Sequence, residues 1–179
     1  MTKWPVNDVP IGLSVTPEPD FYVLVTFSEA RKLKKFDTNG GPLQEVLLQQ
    51  DVYHPRHAIQ FGSNFVVSHG DWQDAVHRVC IVDSADRVKL SYGGRSGLAT
   101  GQLNNPSHLA VDGKGNIFVA DTNNERVLLL SGTFLSDVRE LVSARISGAW
   151  RPRKIYFDET QGRLFVANKN VIAFQIKDI

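Results

Sequence analysis

Pro106–Ser131 reads PSHLAVDGKGNIFVADTNNERVLLLS. A proline opens a short apolar run, and Asp112-Gly113-Lys114-Gly115 then marks a tight turn, because glycine supplies positive φ and aspartate can bind backbone two residues on. Asn116–Asp121 is a second β-rich run, and Val127–Ser131 a third after a polar loop. Three short apolar runs separated by turns, with no helical period, predict antiparallel strands.

The same order recurs along the chain. Pro10, Pro55, Pro106 and Pro152 each lead an apolar run, at steps of 45, 51 and 46 residues. Second runs follow at Phe21–Phe27, Asn64–Ser68, Asn116–Asp121 and Arg163–Asn168, and third runs at Leu33–Asp37, Val79–Asp83, Val127–Ser131 and Val171–Ile176. The first three units add a fourth, at Glu45–Gln49, Arg87–Tyr92 and Asp137–Val142, although Asp137–Arg145 also fits a turn of helix. Further turn chemistry stands at Asn39-Gly40-Gly41, Gly93-Gly94 and Thr160-Gln161-Gly162. Four short strands per repeat describe the blade of a β-propeller, whose sheets bury both faces against their neighbours and are therefore apolar at successive positions.

The expectation is one all-β domain over residues 1–179, with blade-like repeats at about 10–50, 55–97, 106–143 and 152–179. The last repeat stops at its third strand. Lys3–Val6 could supply the missing outer strand, where Pro5 is tolerable on an edge. The alternatives are that the repeats are part of a larger ring, or that two chains self-associate to close one.

Bulk properties narrow the function. The chain is 42% hydrophobic, enough for a core, and its 20 basic and 19 acidic residues leave a net charge of +1. No global field draws it to nucleic acid or membrane, so such binding has to come from a local patch. The single cysteine, Cys80, excludes an internal disulfide and a multi-cysteine zinc site, and fits a reducing, cytoplasmic setting. No stretch approaches the roughly 20 apolar residues of a membrane helix.

Pro106–Ser131 resembles the NHL repeat: a proline, an apolar inner strand, Asp-x-x-Gly, an aromatic-Val-Ala-Asp strand, and an Asn-x-Arg-apolar run. The second unit keeps Pro55, Phe65-Val66-Val67 and His77-Arg78-Val79, and the fourth keeps Pro152 and Phe165-Val166-Ala167 with Asn168 in place of Asp121. The first is the most diverged. The Gly-His and Trp-Asp pairs of a WD40 propeller are missing. The resemblance extends to the C-terminal propeller of tripartite-motif proteins and implies six blades, a propeller that binds protein or RNA, and a separate RING domain for ubiquitin ligation. One cysteine cannot build the RING zinc sites. Asp121 and Arg126 are then structural, like Pro10, Pro55, Pro106 and Pro152.

In a propeller, the loops entering the inner strands share a face with the loops after the second strands. That places Arg56, His57, His108, Arg151, Arg153 and Lys154 together with His69, Trp72, Asn123 and Asn124, a basic face with one aromatic. Arginine and lysine hold phosphate or carboxylate, and an indole stacks on a base or buries against a partner. Trp72 is either tucked under its loop or offered to that partner. His57 and His108 occupy the same repeat position, two after proline, with Lys154 as their counterpart. Two imidazoles beside a lysine suit hydrogen bonds at the mouth better than a metal ion. The amidating lyases of the same fold carry metal-binding histidine directly after the proline, where this chain has Arg56, Ser107 and Arg153. Asp71 and Asp74 near His69 and His77 form a further weak acid/base cluster. The sequence thus predicts a non-catalytic scaffold without cofactor or metal, for a protein partner in preference to single-stranded RNA, with a metal-dependent lyase or hydrolase as the alternative.

Overall fold

The computed structural model describes residues 3–16, 21–131, 135, 137–143 and 151–177. Four antiparallel sheets make up the fold. Blade 1 holds β1 (Pro10–Val15), β2 (Val23–Phe27), β3 (Lys32–Phe36) and β4 (Pro42–Leu47). Blade 2 holds β5 (Pro55–Phe61), β6 (Asn64–His69), β7 (Val76–Val82) and β8 (Val88–Arg95). Blade 3 holds β9 (Pro106–Val111), β10 (Asn116–Asp121), β11 (Arg126–Ser131) and β12 (Val138–Ser143). Blade 4 holds β13 (Lys154–Asp158), β14 (Arg163–Ala167) and β15 (Val171–Gln175). Each sheet pairs in chain order, so the molecule is an all-β, four-bladed propeller array.

One alternative falls and one local expectation changes. Residues 138–143 are strand β12 and not helix, because Val142 is buried opposite Val127 on β11. Gly93-Gly94 is no turn but the far end of β8, where Gly93 (φ 105) lies so close to the His77 carbonyl that a Cβ would sit 2.3 Å from it. The missing side chain at Gly93 lets that strand press against β7.

Alternation within the strands distributes side chains to successive interfaces. In β7, Cys80 and Val82 join the core with blade 1, while Val79 and Ile81 join the core with blade 3. In β10, Ile117 and Val119 face blade 2, whereas Phe118 and Ala120 face blade 4. Both faces of the middle blades are thereby dry. Complete burial of a side chain such as Phe65 or Phe118 stabilises by about 1.5–3 kcal/mol.

The inner strands β1, β5, β9 and β13 pack in that succession, and among the described residues β13 and β1 make no comparable contact. The outward flanks are accordingly apolar and only partly covered. Leu13 and Val15 on blade 1 are 61% and 58% exposed, and Tyr156 and Val171 on blade 4 are 64% and 69% exposed. Lys3–Val6 adds no strand to blade 4. Trp4 instead lies on the free flank of blade 1, with Phe36 at 6.3 Å between ring centres and Gly40 leaving room beneath it. Asp8 anchors the segment through Lys32 at 2.7 Å.

Candidate anion-binding groove

Three of the inner strands enter the axis through the same local device, and the fourth through a related one. Pro10 pairs with Phe27 and Gly12 with Thr26, so Ile11 bulges out of the ladder; Pro55, Arg56 and His57 repeat this opposite His69 and Ser68. Pro106, Ser107 and His108 do so opposite Asp121 and Ala120. In blade 4, Arg153 donates its N–H to the Ala167 carbonyl just before the ladder begins at Lys154. The residue ahead of the proline is left-handed in three blades, with φ 41 at His54, 56 at Asn105 and 55 at Arg151. A bulge re-aims one side chain while the strand continues in register. Ile11, Arg56, Ser107 and Arg153, the residue after each proline, all turn into one groove of about 410 Å³.

Asn105, Arg151, Lys154, Thr122, Asn123, Asp71 and Trp72 complete its lining. Its cations are Arg56, Arg151, Arg153 and Lys154, and its one carboxylate is Asp71. Arg151 lies 3.9 Å from Glu125, while no described carboxylate reaches ion-pair distance of Arg56, Arg153 or Lys154. Burial, and then the nearby Arg56 guanidinium, hold the Lys154 ammonium below its ordinary pKa. Forcing like charges together has this effect, and an anion between them would relieve it. Ser107 and Thr122 brace the floor, with hydroxyls 2.6 Å apart and Thr122 donating to the Pro152 carbonyl at 2.6 Å.

Trp72 is 77% exposed at the lip. Its loop is tied by its own polar groups: the Asp74 carboxylate accepts the Asp71 N–H at 2.8 Å and meets His54 Nδ1 at 3.0 Å. His77 donates Nε2–H to the Asp71 carbonyl at 2.6 Å, and its Nδ1 accepts the Asn105 N–H at 2.8 Å. Asp74 therefore pairs with His54, not with the expected His69 or His77. His54, Asp71 and Asp74 bring donor atoms within 4.8 Å of one another, but those of Asp71 and Asp74 are already accepting loop N–H groups.

Three histidines expected on this face lie elsewhere. His57 is 2% exposed, donates Nε2–H to the Leu13 carbonyl at 3.2 Å and accepts the Leu109 N–H at 3.3 Å. A carbonyl can only accept and an amide only donate, which sets the tautomer. His108 stacks on it at 3.8 Å and accepts the Ile155 N–H at 3.4 Å. The residue two after proline thus points between blades. Burial pushes His57 down to about 4 and His108 down to about 2, with both kept neutral.

His69 and Asp121 occupy equivalent places, opposite Arg78 and Arg126. Asp121 accepts the Asn104 N–H (2.6 Å), Asn124 Nδ2 (2.8 Å) and Arg126 Nε (2.8 Å), and Arg126 continues to the Gln102 carbonyl. In blade 2, Arg78 donates to His69 Nε2 at 3.1 Å and its charge is met by Asp51 at 2.7 Å. The carboxylate has moved from the strand end to the incoming loop while the arginine has stayed. Sequence reasoning missed this exchange, although Asp51 and Gln102 both stand four residues before the proline. Asn123 is on the groove, whereas Asn124 turns away to bond the Gly97 carbonyl.

Fold and site together define a β-propeller with a cationic axial mouth. Within that class, residues 103–128 match the NHL repeat. Among solved structures the chain is similar to one in a nidogen/laminin complex, with a TM-score of 0.70 and 17% identity over 94% of this chain and 61% of that one. It is also similar to a protein of unknown function from Bacteroides caccae, with a TM-score of 0.65 and 14% identity over 90% of this chain and 57% of that one. A streptogramin B lyase gives a TM-score of 0.60 and 11% identity over 99% and 59%. The chain spans about three-fifths of the length of these structures. Comparison with curated proteins finds no significant match. At such identities the likeness concerns the fold, and function has to be argued from the site.

Proposed function

We propose that the protein is a non-catalytic binding module whose axial groove takes an acidic segment of a partner protein. The observation that carries this is the convergence of Arg56, Arg153 and Lys154 on one groove with no described carboxylate to pair them. Cations held together in this way favour ligand carboxylates, and Trp72 at the lip adds an apolar anchor. A net charge of +1 gives little of the long-range attraction that a polyanion would exploit, which favours protein over RNA.

A lyase reading of the same fold would need a base or metal ligands at the mouth. His57 has both ring nitrogens engaged by backbone, and the groove's one carboxylate is Asp71 at its rim. Substrate recognition for a ubiquitin ligase of tripartite-motif type is compatible with the groove, and the RING would be supplied by other sequence. The buried thiol Cys80, pushed up to about 12 by burial, fits the proposed cytoplasmic setting as an inert core residue.

The test is fluorescence anisotropy with a labelled Glu/Asp-rich peptide and a single-stranded RNA of equal charge, at low and high salt. Arg56→Ala/Arg153→Ala should weaken peptide binding at least about tenfold. Equal binding by wild type and variant would rule the groove out, and tighter binding of the RNA would transfer it to nucleic acid.

A further inference from the structure

The loop Gly70–Ala75 carries both Trp72 and Asp71; His77 holds its Asp71 carbonyl, and the second side chain that pins it, His54, lies outside the groove. His54 sits left-handed immediately before Pro55 and Arg56, on the entry to β5. Its ring meets both oxygens of Asp74, at 3.2 and 3.0 Å, and the same Asp74 carboxylate caps the Asp71 N–H. The side chain of His54 is 35% exposed and that of Asp74 10%, so a proton has access while the pair stays partly desolvated. We infer that His54 is a positioning residue for the groove: it latches the Trp72 loop through Asp74, and its protonation sets how tightly that lip is held. The consequence for ligand binding rests on the groove function proposed above.

The groups facing His54 favour the cation. Asp74 and Asp71 approach from the loop, and Glu29 from the turn between β2 and β3, beside Arg31 and Tyr53. Arg31 is turned aside to the Gln50 carbonyl at 3.2 Å. The Asp74 carboxylate, as the largest influence, holds the imidazole above its ordinary pKa against the opposing effect of burial. With the folded value raised, the latch is complete below the ordinary histidine range and weakens as pH rises through the raised value. Neutral His54 can still donate one hydrogen bond, but the charge across it is gone.

Trp72 reports the latch directly. The chain has three tryptophans, so Trp4→Phe/Trp150→Phe leaves Trp72 as the emitting side chain. Its emission anisotropy should fall as pH is raised across roughly 6 to 9. His54→Asn, which tolerates the left-handed backbone, should give low anisotropy at every pH, and Asp74→Asn should do the same while keeping an oxygen for the Asp71 N–H. A titration that persists in both variants, or a flat wild-type profile, overturns the latch. In parallel, affinity for the labelled acidic peptide should drop about threefold over that range in wild type and stay level in His54→Asn. Absence of peptide binding beside an intact Trp72 titration would refute the groove function and leave the latch standing.

Discussion

Asp121 shows how much one side chain can hold. It is fully buried, and burial raises its carboxyl pKa while the Asn104 N–H, Asn124 and Arg126 pull the other way. Asp121→Ala takes the nearest carboxylate from the Arg126 guanidinium, whose side chain is 11% exposed, leaving it the Gln102 carbonyl and Glu140 at 3.8 Å, and frees the two other donors. A loss of about 3–5 kcal/mol is expected in urea unfolding, as for other broken buried pairs. Asp121→Asn should cost less, because its amide oxygen still accepts from one of the neutral donors. His57→Phe retains volume but leaves the Leu13 carbonyl and Leu109 N–H unpaired, for about 1–3 kcal/mol per group. The sequence marked His57 and His108 by their common place after proline, and that equivalence is visible in the structure. Their direction was not legible, because a single bulged residue reverses which neighbour faces the mouth.

At the scale of the element, the strands were legible and their ends less so. Asn116–Asp121 carries its own boundaries, a glycine turn before and a polar loop after. The outer strands were harder: Glu45–Gln49 was expected where β4 runs Pro42–Leu47, since edge strands such as PLQEVL alternate with polar residues and give little contrast with loops. Trp72 was legible as a loop residue, but not its loop's tie to His54, which depends on a left-handed residue that composition does not announce. Contact between neighbouring inner strands is close at Gly12, where a Cβ would lie 2.6 Å from the Arg56 carbonyl. Gly12→Ala should therefore separate blade 1 from blade 2 and destabilise by about 1–3 kcal/mol. If its denaturation midpoint equals that of wild type, the two strands are not in fixed contact.

For the whole molecule, the buried imidazoles His57 and His69 and the partly buried His108 govern the response to acid. His57 and His69 are pushed down to about 4 and His108 to about 2, chiefly by burial. The unfolded chain takes up these protons near pH 6.5 and the folded chain does not, so their contribution is complete above that value and is lost as pH falls toward 4. A stability loss on the order of 5 kcal/mol is expected across that interval, with His54 opposing it weakly. Urea midpoints at pH 7 and pH 4.5 would measure it, and equal midpoints would show that the imidazoles protonate without unfolding.

Because the extensive contacts among the described residues run between sequence-neighbouring blades, the array behaves as a one-dimensional lattice with two ends. Amide exchange should be slowest in β6 and β10, sheltered on both sides, and fastest in β14 and β15, which can fray without disturbing blades 1 and 2. The groove spans that gradient. Arg56 and Trp72 stand on the slow-opening part, Arg153 and Lys154 on the fast one. Detachment of blade 4 would remove most of the cationic mouth at once, so the lifetime of a bound acidic segment becomes tied to the opening rate of a blade end that the segment itself would hold shut.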